Sequence, residues 1–127
     1  MRRASLVAAV LALAAGFAWM AAEQGPGRGV VHVPGGDIRR GEEALRRRGC
    51  GSCHTIPEIP GATGTVGPPL KGVKLRSYLA GRVPNDLDNL MKWIRHPRDV
   101  DAKTAMPELG VTEQEARDIA AFLYAAP

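Results

Sequence analysis

Three stretches of the chain carry apolar positions at helical spacing. The first follows Asp37, with Ile38, Gly41, Ala44 and Leu45 on one face and Gly49 just past its end. Asp37 suits the N-cap, because a short carboxylate accepts from the free N–H groups of a first turn. In the second stretch Leu87, Leu90, Met91 and Ile94 fall at i, i+3, i+4 and i+7, with Asn85 or Asp86 as cap and Pro97 as stop. In the third, Thr112 and Glu115 make a capping box ahead of an inner stripe of Ala116, Ile119, Ala120 and Leu123. The pattern predicts three helices joined by irregular chain.

A fourth apolar stretch has a different character. Arg2 and Arg3 precede 19 uncharged residues, Ala4 to Ala22. Residues 1–22 read as a secretory signal peptide or as an uncleaved membrane anchor, with a buried core helix as the third reading. The run exceeds a usual signal core and just suffices to span a bilayer, and cleavage after Ala22 would put Met20 where a small residue is preferred. Many of its residues are alanine, which is only weakly hydrophobic. As signal or anchor, it leaves the arginines in the cytoplasm and exports the rest. The domain is then expected on the periplasmic side, tethered if the segment is retained and soluble if it is removed. Residues 23–35 are rich in Gly and Pro and read as a flexible linker. The folded domain is expected over 36–127.

Composition narrows the function. Gly and Pro make up 25 of the 127 residues, and Trp, Tyr and Phe number two each. So small a domain has a modest core, and such domains often gain stability from a bound group. Without Arg2 and Arg3 the chain has 15 basic and 13 acidic residues, too mixed a balance for a nucleic-acid binder. No internal repeat and no phosphate-binding glycine loop is present.

The only two cysteines stand in "CGSCH", as Cys50, Cys53 and His54. A redox dithiol would need a low-pKa thiolate at a helix start after a strand, and no such pattern surrounds the site. A zinc site would have three ligands here and no assigned fourth. Cys-x-x-Cys-His is the signature of covalent haem attachment. Each thiol adds to one porphyrin vinyl group, and the two intervening residues span the vinyls. The next residue's imidazole then reaches the iron. Candidates for a second axial ligand are Met106, Met91, His32, His96 and the lysines. Met91 lies on an apolar helix face, His32 in the linker, and His96 at a helix end before Pro97. Met106 lies in "DAKTAMPELG", a segment without apolar period, where Pro107 restricts its backbone.

These motifs together resemble a class I, mono-haem cytochrome c, over about residues 36–125. "GDIRRGEEALRRRGCGSCH" resembles that family's first helix and haem motif, "GPPLKGVKLR" its proximal loop, "NLMKWIRHP" the helix before the methionine, "TAMP" the ligand segment and "ARDIAAFLY" the last helix. The chain is also similar to the small cytochrome domains that accompany haem-copper oxidases. The resemblance implies an all-α fold, three main helices wrapped around one c-type haem (heme c) bound through Cys50 and Cys53. Its axial ligands would be His54 and Met106. It implies that Gly41 meets Phe122 where first and last helices cross, and that the Pro68 carbonyl accepts from His54. Arg76, Tyr78, Arg82 and Thr104 fall where haem propionates would be met, and Trp93 near the methionine sulfur. The domain has no second tryptophan for the Trp-to-propionate bond common in the family.

The function so implied is one-electron transfer, not enzymatic turnover. The expected partners are a quinol-oxidising complex as donor and a terminal oxidase or reductase as acceptor. One alternative is an electron-entry subunit held in a membrane oxidase or nitric oxide reductase. Another is a gas-binding haem sensor or enzyme. Arg39, Arg40, Arg46, Arg47, Arg48, Lys71 and Lys74 offer a basic rim for docking, or an ordinary solvated face.

Overall fold

The computed structural model describes residues 32–126; the N-terminal apolar segment and most of the linker lie outside them. Helix α1 spans Ile38–Arg47 and starts where the Asp37 carboxylate accepts from the Arg40 N–H at 2.8 Å. A two-stranded antiparallel hairpin follows, β1 (Tyr78–Leu79) and β2 (Val83–Pro84). Its turn holds Ala80 and Gly81 at φ +51° and +64°, the double left-handed pair that suits a tight hairpin. Helix α2 spans Leu87–Arg95, α3 is the single turn Pro97–Val100, and α4 spans Glu113–Ala125. The fold is the expected all-α one with a short hairpin added, and the expected three main helices are α1, α2 and α4. Among the described residues no helix is long and apolar enough to cross a membrane.

Two sequence expectations are borne out and gain detail. Asp86, not Asn85, caps α2, accepting from the Asn89 N–H at 2.8 Å. Pro97 ends α2 and also opens α3 from its first position, where a missing N–H costs nothing; it is buried. The expected Thr112–Glu115 capping box is present in full.

Val33, in the stretch read as linker, is buried. Gln114 Nε2 donates to the Gly35 carbonyl at 2.9 Å and to the Asp118 carboxylate at 3.0 Å. Asp118 is the buried charge of the core face. It accepts from the Asp37 N–H at 2.8 Å and from the Arg40 guanidinium at 2.9 and 3.1 Å. The Arg40 hydrogen bonds lead in lowering its pKa, against the opposing effect of burial.

Helix α1 lies on α4 at close range. A Cβ at Gly41 would collide with the Asp118 carbonyl oxygen and lie 3.0 Å from Phe122 Cβ. The core from α4 includes Ala116, Ile119, Ala120, Phe122 and Leu123, and Met91 joins it from α2. Helix α4 is therefore buried nearly all round rather than along one stripe, since α1 and α2 both pack on it.

Gly41→Ala is expected to destabilise the holoprotein by about 1–3 kcal/mol, even though alanine favours helix by about 1 kcal/mol; denaturant melts check it. Acid is expected to weaken the fold through two carboxylates. Arg48 leads in holding Glu115 down at about 2, against an ordinary 4.5, and Asp118 is also lowered. Both groups bind fewer protons folded than unfolded, so their stabilisation is complete above the unfolded values and lost as pH falls towards the folded ones. The denaturation midpoint is expected to drop below about pH 4.5, and to drop less steeply in Glu115→Gln.

Candidate functional site

A cavity of about 460 Å³ is walled by side chains of α1, α2 and α4 and by the loops before α2 and α4. Its apolar wall includes Leu70, Val73, Leu90, Ile94, Ile119 and Leu123. Cys50, Cys53 and His54 reach it from a single 3₁₀ turn, Cys50–Ser52. Gly49, at φ +70°, swings the chain out of α1 into that turn. The N–H groups of Cys53 and His54 then converge on the Cys50 carbonyl at 3.2 and 2.9 Å. One local turn thus points two thiols and an imidazole at one space.

His54 is fixed by its surroundings. Its Nδ1 lies 2.7 Å from the Pro68 carbonyl oxygen. A carbonyl only accepts, so Nδ1 carries the hydrogen and Nε2 keeps its lone pair. Gly67 lies flat against the ring: a Cβ there would overlap Cε1 and sit 2.6 Å from Nδ1. The Gly67 N–H also donates to the Cys53 carbonyl at 2.8 Å.

The other expected site residues divide. Pro68, Arg76, Trp93, Thr104 and Met106 all line the cavity. Arg76 donates to the Pro69 carbonyl. Thr104 Oγ1 accepts from the Met106 N–H at 3.1 Å, and the Thr104 N–H donates to the Asp101 carbonyl at 3.0 Å. Tyr78 and Arg82 are not in the wall. Successive residues of a strand face opposite ways: Leu79 faces the cavity, so Tyr78 turns outward and is 61% exposed. The tight hairpin turn carries Arg82 to Asp101, at 3.6 Å. Of the alternative ligands, Met91 is buried without lining the cavity, and His32 and His96 are outside its wall.

Most of the expected basic rim is neutralised or elsewhere. Arg40, Arg46, Arg47 and Arg48 are in ion pairs with Asp118, Glu42, Glu115 and again Glu115. Only Arg48 of the seven basic residues lines the cavity. Asp101 and Leu109 are wall residues that the sequence did not single out. Arg48 reads from the sequence only as part of a rim, since in the run "RRR" nothing distinguishes the third arginine from the first two.

The donor set decides between chemistries. Burial pushes the Cys50 thiol up, against the low value that a dithiol nucleophile needs. Among the described residues no three His, Cys, Asp or Glu side chains gather around a metal position. Two thiols, a singly hydrogen-bonded imidazole and a thioether in one apolar cavity do fit a covalently held porphyrin. A family model described as "Cytochrome C oxidase, cbb3-type, subunit III" matches residues 36–123. The chain belongs to this cytochrome c family. It is a class I cytochrome c, a family of electron carriers with covalently bound haem.

The relatives of this cytochrome are consistent in kind. Cytochrome c oxidase subunit 2 of Alkalihalophilus pseudofirmus is 29% identical over 86 residues, 66% of this chain and 24% of that protein. The chain thus spans about a quarter of that relative's length. The crystal structure of cytochrome c2 from Rhodobacter sphaeroides superposes with a TM-score of 0.53 at 23% identity, over 69% of this chain and 94% of the other. That likeness establishes the fold.

Gly67→Ala is expected to cost about 2–3 kcal/mol by driving a methyl into the His54 ring. Thr65→Ala, at an exposed position outside the cavity wall, is expected to stay within about 0.5 kcal/mol. Parallel melts of the two holoproteins check the contrast.

Proposed function

We propose that this cytochrome holds its haem iron between His54 and Met106 and carries single electrons outside the cytoplasmic membrane. A quinol-oxidising complex would be the donor and a terminal oxidase or reductase the acceptor. The observation that carries the ligand assignment is that Met106 lines the cavity shared with Cys50, Cys53 and His54, whereas Met91, His32 and His96 do not. The bound haem supplies a one-electron iron couple. Cys50 and Cys53 fix it by thioethers, and His54 presents the nitrogen whose ring is oriented by the Pro68 carbonyl. Met106 supplies a soft sulfur that favours the reduced iron. The apolar wall keeps water out and disfavours the extra charge of the oxidised form. With both axial positions filled, no open site is left for oxygen or substrate.

A second reading is an electron-entry subunit held in a membrane oxidase. The oxidase subunit named by the family model and the match to a quarter of an oxidase subunit favour it. Co-purification of this chain with an oxidase decides between carrier and subunit. Intact mass of the membrane-derived protein reads the covalent haem and the fate of residues 1–22 together.

The ligand assignment is tested by carbon monoxide. The ferrous wild type and Met91→Ala are expected to stay low-spin and refuse the gas at neutral pH. Met106→Ala is expected to turn high-spin and bind it. Gas binding by the wild type, or a Met106→Ala spectrum like the wild type's, would overturn the assignment.

A further inference from the structure

We infer that Arg48 is the positioning residue for Met106, holding the methionine loop against α1 and α4. This rests on the reading of Met106 as an axial ligand. Arg48 follows the last residue of α1 and immediately precedes Gly49 and the haem-binding turn. Its side chain is 28% exposed and shares the cavity wall with Met106 and Leu109. One terminal nitrogen donates to the Leu109 carbonyl at 3.0 Å. The other donates to the Glu115 carboxylate at 2.6 Å, with Nε at 3.3 Å to the same group. A planar fork with several fixed donors can serve a carbonyl and a carboxylate together, which the single ammonium of lysine does poorly.

Glu115 is itself held. Its Oε2 accepts from the Thr112 N–H at 2.9 Å as part of the capping box of α4. The bridge therefore runs from the end of α1 to the first turn of α4, and from there to the carbonyl three residues beyond Met106. Gly110 turns the chain after Leu109 at φ +63°, a conformation that favours glycine. The loop's other end is tied by the Asp101 carboxylate, which accepts from the Lys103 N–H at 3.1 Å, and by Thr104. Met106 thus stands between two anchors. The other two arginines of the "RRR" run make no such bridge. Arg46 pairs with Glu42, and Arg47 with Glu43 and Glu115, away from the loop carbonyl.

If the anchor beyond Met106 is released, the sulfur yields more readily to an outside ligand. Imidazole added to the ferric holoprotein bonds to iron through its nitrogen lone pair as the sulfur leaves, with no electron moved. Arg48→Leu is expected to bind imidazole about tenfold more tightly than wild type, the size of one lost charged hydrogen bond. Arg48→Lys is expected to fall between the two. Arg46→Gln is expected to match wild type. Asp86→Ala, which loses the N-cap of α2 and touches neither anchor of the loop, is also expected to match it, which separates loop positioning from general loosening. If Arg48→Leu does not fold, Arg48→Lys and Glu115→Gln carry the test. Wild-type affinity in every Arg48 and Glu115 variant, with tight binding by Met106→Ala, would overturn the role of Arg48 and leave the sulfur as ligand. Wild-type affinity in Met106→Ala would overturn the ligand reading and this inference with it.

Discussion

Helix α1 can lie on α4 only because residue 41 has no side chain, and the site hangs on that approach. A Cβ at Gly41 would occupy the space of the Asp118 carbonyl. The close crossing brings the Asp118 carboxylate to the start of α1, where it takes the Asp37 N–H and Arg40. It also brings the end of α1 to the start of α4, where Arg47 and Arg48 meet Glu115. The haem-binding turn follows that end directly, so its position over the cavity is inherited from the helix pair. Burying Asp118 would be costly alone; three donor groups around it offset the desolvation.

Helix α4 braces both loops that matter for the haem. Near its first turn, Glu115 and Arg48 hold the methionine loop through the Leu109 carbonyl. Near its last turn, the Tyr124 hydroxyl donates to Asn85 Oδ1 at 3.0 Å. The Asn85 amide then donates to the carbonyls of Val73 and Arg76 at 2.7 and 2.8 Å. Arg76 reaches the Pro69 carbonyl, next to the Pro68 carbonyl that holds His54. An electron carrier works best when its ligand set stays put as the charge changes, and two such chains resist movement on either side of the cavity.

Much of this was legible in the sequence because it is local. Caps at Asp37 and Thr112, the periods of α1, α2 and α4, and the Cys50–His54 turn each depend on residues within a few positions. The place of Met106 in the cavity wall was legible by exclusion, as a methionine outside any helical period. The Pro68 and Gly41 contacts came through resemblance, and geometry agrees with both. What stayed hidden depends on distant partners. Asn85 reads as a helix cap; its work is done with Val73, Arg76 and Tyr124. Tyr78 and Arg82 have the right chemistry for a haem edge, but strand alternation and a tight turn leave them outside the cavity wall. Arg48 is one of three equal arginines until Leu109 and Glu115 fold against it.

The two braces of α4 differ in kind. One is ionic, an arginine on a carboxylate held near 2. The other is neutral, and burial pushes its Tyr124 phenol above the ordinary 10, so it keeps its proton across the physiological range. Acidity and added electrolyte therefore act more strongly on the ionic brace than on the neutral one. Fraying under such stress is expected to be directional, with the methionine side slackening before the imidazole side.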